Sequence, residues 1–282
     1  MISKPLGEEV RGRDGDNMTT ASSRDGTPIA YTCAGRGPTL ILVGGALDDG
    51  AENAPLVPLL AEQFTVVNYS RRGRGDSGDT PPYEVRREIE DLSALLETTG
   101  SGSCLLYGVS SGGALALEAT AAGLPVTRLA VYEVPYQVDD EALGRWNTYV
   151  ADLAAAQGRP GDLLELFMRL AGSSDEDVTG ARDSPVWTQL EAIAHTLAYD
   201  AACLGSGQPA PDTLSRVTQP TLVLTGAVAD PHMRGLSPGF FDDAADFIVQ
   251  RLPHGQRRVL EGQSHVAAPQ DVEPVLRAFF EE

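Results

Sequence analysis

Residues 104–117 read Cys-Leu-Leu-Tyr-Gly-Val-Ser-Ser-Gly-Gly-Ala-Leu-Ala-Leu, and this stretch decides the fold. Its apolar start, residues 104–107, lies between Gly and Ser residues and predicts a short buried strand. Residues 108–112 fit the pattern G-x-S-x-G, a strand-turn-helix elbow that holds a nucleophilic serine. The Ala- and Leu-rich residues 113–122 predict the helix that follows the turn.

The glycine spacing around Ser110 has a steric cause. A serine at the tip of so tight a turn has a strained backbone, and the residues two positions before and after it must be nearly free of side chain. Gly108 and Gly112 meet that need. Ser111 is the rival nucleophile, but its matching neighbours are Val109 and Gly113, so we rank it far lower.

The bulk composition limits the classes of function. The chain has 282 residues, 42 % of them hydrophobic, enough for one large α/β domain with an insertion or for two small domains. A net charge of −19 argues against nucleic acid and anionic membrane surfaces as partners. The three cysteines are far apart, and no apolar run approaches 18 residues. We therefore expect a cytoplasmic protein that acts on a small molecule as a monomer or homodimer.

Strands and helices alternate along most of the chain, which predicts a doubly wound, mostly parallel sheet. A hairpin with an Asp-Gly turn is expected over residues 19–33, followed by buried strands at 39–43, 64–68 and 104–107 and by further strands at 126–132, 220–225 and 257–260. Between residues 139 and 215 the strands stop, and helical patterns occur at 141–157, 161–170 and 186–197. We predict a disordered lead over 1–17, a core made of 18–136 and 216–282, and a helical cap over 137–215.

The elbow, an acidic residue after a later strand and a late Gly262-x-x-His265 resemble the α/β-hydrolase superfamily over nearly the whole chain from Thr19 onward. Residues 72–78 are similar to the family's loop after the fourth strand. Residues 131–136 and 262–265 resemble a small-cap subgroup common in actinobacteria. The resemblance implies the α/β-hydrolase fold and a site at the carboxyl ends of the strands, but the fold hosts many chemistries.

The order serine, acid, histidine implies that His265 is the general base for Ser110. His195, His232 and His254 fit that order less well. Two residues are candidates for the acid that orients His265. Asp230 lies one residue beyond the position after the penultimate strand that many relatives use, whereas Glu133 follows the strand after the elbow helix, where some haloalkane dehalogenases place their acid. On position alone we rank Glu133 first, and both stay open.

The resemblance also implies where an oxyanion would be held. The family motif after the third strand is His-Gly-x, and this chain has Gly44-Gly45-Ala46, with glycine in place of the histidine. By position, the N–H groups of Ala46 and Ser111 are the expected donors. Cap aromatic residues could line a substrate pocket together with Gly45, although most are expected in the core. The candidates from the cap and its edge are Tyr136, Trp146 and Trp187, with Tyr149, Phe167, Met168 and Tyr199 in the same group.

Two other motifs give weaker indications of function. Arg71, Arg72 and Arg74 form a basic cluster in an acidic protein, and bracing of loops is expected ahead of substrate binding. Residues 73–78 match G-x-G-x-x-G, but Asp79-Thr80-Pro81-Pro82 cannot open the helix that a pyrophosphate needs. The sequence has no metal-ligand spacing, and we expect no metal and no cofactor.

Three functions follow for testing. The first is a serine hydrolase of small or medium apolar esters, thioesters or lactones that works through an acyl-enzyme. The second is a non-hydrolytic enzyme on the same scaffold, namely an acyltransferase, a C–C lyase or a cyclase in a biosynthetic pathway. The third is a catalytically silent ligand-binding protein. Dehalogenation and epoxide hydrolysis rank low because they use a carboxylate nucleophile in this fold, and position 110 is serine.

Overall fold

A computed structural model describes residues 10–11 and 17–282. Its strands are β1 Val10–Arg11, β2 Asn17–Ser22, β3 Pro28–Gly35, β4 Thr39–Val43, β5 Thr65–Tyr69, β6 Cys104–Val109, β7 Val126–Tyr132, β8 Thr221–Gly226 and β9 Gly255–Leu260. Its helices are α1 Val57–Leu60, α2 Val85–Thr98, α3 Ser111–Ala121, α4 Asp140–Ala155, α5 Pro160–Ala171, α6 Asp175–Arg182, α7 Trp187–Ile193, α8 Leu197–Leu204, α9 Thr213–Arg216, α10 Phe240–Val249 and α11 Pro269–Phe280.

These strands form one sheet, and the fold is the predicted α/β-hydrolase fold. The described strands follow the order β1-β2-β3-β5-β4-β6-β7-β8-β9. The pairs from β5 to β9 are parallel, whereas β1, β2 and β3 pair antiparallel at one edge. The hairpin β2–β3 lies where the Asp-Gly turn predicts it. Most of the predicted lead, 1–17, falls outside the described residues, but Val10–Arg11 pairs with β2 and is extended.

The central strands are buried on both faces because helices cover both. In β4, Ile41 and Val43 pack in the cluster that contains α2 and α3, whereas Leu40 and Leu42 pack in the cluster that contains α1 and α11. All residues of β4 are buried. This alternation explains why the parallel strands are continuously apolar in the sequence, as two-sided burial requires.

The segment between β7 and β8 is helical, but the sequence pattern found only part of it. The helices α4 and α5 lie close to their predicted ranges. The predicted helix at 186–197 is wrong at its carboxyl end, because α7 stops at Ile193 and a short 3-10 turn precedes α8. Helices α6, α8 and α9 were not predicted. Each has eight residues or fewer, too short for helical periodicity to stand out.

The elbow between β6 and α3 has the predicted strain. Ser110 has φ 54° and ψ −126°, in a region that non-glycine residues seldom adopt. A Cβ on Gly112 would lie 2.5 Å from the carbonyl oxygen of Val43 and closer still to that of Gly44. A Cβ on Gly108 would lie 2.5 Å from the carbonyl oxygen of Gly112. The two glycines are thus needed for close backbone approach, as the sequence predicts.

Replacing Gly112 by alanine should therefore destabilise the fold. The atoms in the way belong to the backbone of β4 and its loop, which cannot move without disturbing the sheet, so we expect a loss of about 3 kcal/mol in the free energy of unfolding. Urea denaturation measures it. Gly144→Ala is the matched control, because Gly144 lies in α4 with nothing within 4 Å of its Cβ position, and alanine there should stabilise by up to about 1 kcal/mol. Equal stability of the two variants would contradict the packing argument.

Candidate active site

Ser110 stands at the carboxyl end of β6 and at the amino end of α3. Its own N–H donates to the carbonyl of Tyr132 at 2.8 Å, which ties the turn to the neighbouring strand β7. The residue is half-buried and lines a cavity. Ser111 is buried, and its hydroxyl donates to Asp200 at 2.7 Å. The rival serine is therefore already hydrogen-bonded to a carboxylate, which leaves Ser110 as the better candidate nucleophile.

His265 lies in the loop after β9 and contacts one of the two candidate acids. Its Nδ1 is 2.7 Å from Oε2 of Glu133. Glu133 is buried, and its other carboxylate oxygen accepts the N–H of Gly226 at 2.8 Å. Its backbone is also in the left-handed region, at φ 47°. The strained turn after β7 thus points this carboxylate at the histidine ring.

Asp230, the other candidate, is placed differently. Its Oδ1 accepts the N–H of His232 at 2.8 Å, in the turn that an Asp-Pro pair favours. Its Oδ2 accepts the hydroxyl of Ser264 at 3.1 Å, next to His265 rather than on its ring. The loop after β8 therefore holds Asp230 by local hydrogen bonds. The geometry favours Glu133 as the partner of His265.

The loop Gly44–Ala46 follows β4 and lies beside Ser110, and we refer to it as the oxyanion loop. A Cβ on Gly45 would lie 3.1 Å from the Cβ of Ser110, so the loop backbone packs directly against the serine. Ala46 and Ser111 line the same cavity as Ser110. Within the part of the chain that the structure describes, neither the Ala46 nor the Ser111 N–H has a hydrogen-bond acceptor.

The cavity beside Ser110 has a volume of about 370 Å³ and is mostly apolar. Of the residues expected to bind substrate, Gly45, Trp146, Tyr149 and Phe167 line it. The expectation for Tyr136 and Trp187 is wrong. Tyr136 is fully buried in the core. Trp187 instead packs against Arg182, whose guanidinium carbon lies 5.8 Å from the centroid of the Trp187 ring. Helical spacing alone does not say which side of a buried segment faces the site.

Several lining residues carry no sequence signal for such a role. Phe241 stacks on the imidazole of His265, with ring centroids 4.9 Å apart and planes at 17°. Phe241 lies in α10, and no sequence pattern indicated a role for it at the site. Most of the other lining side chains that were not singled out are apolar, namely Leu170, Leu197, Leu204, Met233, Leu236 and Phe240, and the charged ones are Glu52, Arg145 and Asp200.

Glu52 lines the cavity, and the residue is exposed although neighbouring groups partly desolvate its carboxyl group. Burial raises the pKa of Glu52, and the nearby charge of Asp48 raises it further, while His265 opposes the rise. Its position was not predicted, since it lies in a polar loop of a strongly acidic sequence. Together with Arg145, it is one of the few charged side chains that a substrate in the cavity would meet.

The arginines after β5 are structural, as expected. Arg71 donates through two nitrogens to Glu88, each at 2.7 Å, and Arg72 forms a similar pair with Asp91 at 2.8 and 2.7 Å. Arg74 donates to Asp200 at 2.7 Å. All three guanidinium groups are buried. Burial raises the pKa of Glu88, but the charge of Arg71 outweighs that effect and holds the pKa below its usual value.

Comparisons with known proteins identify the family to which this chain belongs. A model of the alpha/beta hydrolase family matches residues 40–278. The chain belongs to the alpha/beta hydrolase family. The family is thus the one that the elbow, the Gly262-x-x-His265 loop and the order of the strands resemble.

Individual hydrolases are similar to this chain to different extents. An alpha/beta hydrolase from Sphaerobacter thermophilus is 43 % identical, with a TM-score of 0.80 over 93 % of this chain and 100 % of that one. A thermophilic esterase from Thermogutta terrifontis, solved with malate bound, shares the fold at 22 % identity and a TM-score of 0.66, over 94 % of this chain and 97 % of that one. The uncharacterized hydrolase YraK of Bacillus subtilis is 31 % identical over 96 residues, 33 % of this chain and 35 % of that relative. The match therefore spans about a third of that curated hydrolase's length.

Within residues 10–11 and 17–282, no group of three or more His, Cys, Asp or Glu side chains is arranged to hold a metal ion. No helix in the same residues is long and apolar enough to cross a membrane.

Proposed function

We propose that this member of the alpha/beta hydrolase family is a serine hydrolase of small or medium apolar carboxylic esters, thioesters or lactones. One observation carries the proposal. A serine on a strained elbow and a histidine bonded to a buried carboxylate line a single, mostly apolar cavity. The esterase among the similar structures supports the choice of substrate class.

In this mechanism the Glu133 carboxylate accepts a hydrogen bond from the Nδ1–H of His265, which leaves the unprotonated Nε2 as the base. The hydroxyl oxygen of Ser110 attacks the carbonyl carbon, and its proton passes to Nε2. The carbonyl π electrons move to the oxygen, and the N–H groups of Ala46 and Ser111 stabilise the negative charge there. The amino end of α3 adds a partial positive charge at the same place.

The tetrahedral intermediate then collapses. The C–O bond to the leaving group breaks, and His265 returns the proton to the departing alcohol, or to the thiol of a thioester. Water enters, gives a proton to His265 and attacks the acyl-enzyme. Breakage of the bond to Ser110 releases the carboxylic acid, and His265 returns its proton to the serine oxygen. The apolar cavity holds the acyl chain, while Phe241 packs on the imidazole ring and limits its rotation.

Labelling of the wild-type protein with a fluorophosphonate tests the proposal directly. We expect one phosphonyl group per chain by intact mass, and peptide mapping should place it on Ser110 rather than on Ser111. Heat-unfolded protein is the control and should stay unlabelled, because activation depends on the assembled site.

A series of p-nitrophenyl esters tests the substrate class in parallel. A cavity of about 370 Å³ should accept acetate, butyrate and octanoate much better than palmitate. Absence of both labelling and ester turnover would reject the proposal and favour the acyltransferase, lyase, cyclase or binding alternatives.

A further inference from the structure

Asp200 is the charged residue of the cavity wall with the most hydrogen bonds. It lies in α8, between β7 and β8, and only 4 % of it is exposed. Its Oδ1 accepts three hydrogen bonds of 2.7 Å, from Arg71 Nη1, from Arg74 Nη2 and from the hydroxyl of Ser111. These donors come from the loop after β5 and from the first turn of α3. One carboxylate oxygen thus joins three separate parts of the chain.

The carboxylate is held in its charged form. Burial raises the pKa of Asp200, but the charges of Arg74 and Arg71 outweigh the effect and keep the pKa below its usual value. Asp200 is therefore ionised at neutral pH. The two arginines offset this buried charge, and Arg71 is paired with Glu88 as well.

Both arginines that bind Asp200 also donate hydrogen bonds to the oxyanion loop. Arg74 donates through Nη1 to the carbonyl of Gly45, and the same nitrogen lies 3.4 Å from the carbonyl of Asp48. Arg71 donates through Nη1 to the carbonyl of Gly44 at 3.4 Å. The loop has glycine at 44 and 45, so it has no side chains of its own there with which to fix its shape. Its carbonyls are held from outside, by the two arginines.

We propose that Asp200 is a positioning residue, which sets the oxyanion loop and the start of α3 through Arg74, Arg71 and Ser111. This inference rests on the proposed function, because the positioned groups are the N–H donors of Ala46 and Ser111. Donors that stabilise a transition state must be placed to within a fraction of an ångström, so a loosened loop lowers the rate of the chemical step. Asp200 thereby couples the helices between β7 and β8 to the chemistry at Ser110.

A second buried ion pair in the same loop provides a matched control. Arg72 pairs with Asp91 through two hydrogen bonds, and Asp91 is as deeply buried as Asp200. Among the contacts of the described residues, neither Arg72 nor Asp91 reaches the oxyanion loop or Ser111. Asp91→Asn thus removes a buried charge of the same type from the other side of the arginine loop. A merely structural role for Asp200 predicts similar behaviour for both variants.

The experiment compares Asp200→Asn with Asp91→Asn by ester kinetics and by hydrogen–deuterium exchange. For Asp200→Asn we expect kcat for p-nitrophenyl butyrate to fall at least about tenfold, with KM changed by less than about twofold. Amide exchange in a peptide that covers residues 44–50 should become faster. Asp91→Asn should keep the wild-type kcat and the wild-type exchange at residues 44–50, even if it lowers the melting temperature as much as Asp200→Asn does.

Arg74→Lys is the second variant, for the case in which Asp200→Asn does not fold. Lysine keeps the positive charge beside Asp200 but cannot bond Gly45 and Asp200 with the fixed geometry of a guanidinium. It should show the same lower kcat and faster exchange at residues 44–50, to a smaller degree.

The outcomes separate the two proposals. The positioning role would be overturned if Asp200→Asn and Arg74→Lys gave the same kcat and the same amide exchange as Asp91→Asn. The hydrolase proposal would still stand in that case. Wild-type protein that neither labels nor hydrolyses esters would reject the hydrolase proposal. In that case the exchange at residues 44–50 alone decides whether Asp200 holds the loop.

Discussion

Replacing Ser110 by alanine is expected to lower kcat/KM for p-nitrophenyl butyrate by about 10⁴- to 10⁶-fold and to abolish fluorophosphonate labelling. Alanine removes the hydroxyl oxygen that is proposed to form the acyl-enzyme, while the cavity and the proposed oxyanion donors remain. Folding should be unaffected, since the Ser110 side chain is half-buried and its backbone bonds are kept. Steady-state kinetics and intact mass measure both effects.

His265→Ala should give a loss of similar size, because an unactivated serine hydroxyl is a weak nucleophile. The double variant Ser110→Ala with His265→Ala should be hardly worse than either single one, since residues that act as a unit are strongly non-additive. Ser93→Ala is the control. It removes a hydroxyl that bonds only the carbonyl of Ile89 within α2, and its activity should equal that of the wild type. Activity retained in Ser110→Ala would contradict the mechanism, and losses that multiply in the double variant would count against concerted action.

The second large effect concerns the acid. Glu133→Gln should lower kcat by about 10³- to 10⁴-fold, because a neutral amide that donates to Nδ1 holds the imidazole in the wrong tautomer and cannot stabilise the imidazolium. Glutamine has nearly the same shape and can still accept the Gly226 N–H through its amide oxygen, so the turn after β7 should persist. Kinetics, with circular dichroism as the check on folding, measure the loss.

Asp230→Asn is the matched comparison for Glu133→Gln. It makes the same change of carboxylate to amide beside the same histidine loop, where Asp230 bonds Ser264 and the backbone of His232. We expect kcat within about threefold of the wild type, the effect of a modest local rearrangement. A larger loss in Asp230→Asn than in Glu133→Gln would show that the loop after β8 moves in catalysis and that Asp230 serves as the acid.

The Glu133 and Asp230 variants also test which strand of the fold carries the proposed acid in this chain. In the structure Glu133 follows β7, which is next to the elbow strand β6, so Glu133 and Ser110 follow adjacent strands. His265 comes from the far edge, after β9, and reaches back across the ends of the strands. The Glu133 contact therefore needs no contribution from the loop after β8, which leaves that loop free to line the cavity with Met233 and Leu236.

The elbow and the parallel core could be predicted from the sequence because their causes are local. Gly108 and Gly112 are required by backbone atoms a few residues away or on the adjacent strand, and strands buried on both faces are apolar whatever their neighbours are. The order of Ser110, Glu133 and His265 along the chain, each after a strand, also needs no coordinates. Parallel strands bring their carboxyl ends together by topology alone.

Only the tertiary structure decided which side chains meet. Glu133 and Asp230 are both acidic residues after strands, and the choice between them depends on a backbone at φ 47° and on local bonds in the loop after β8, neither of which has a sequence pattern. Trp146 and Trp187 both lie in helical segments, yet only Trp146 reaches the cavity. Asp200 sits in a helix too short to be predicted, and its partners lie 89 to 129 residues away. Local chain geometry sets strands, turns and helices, whereas contacts over such separations depend on how every intervening element packs.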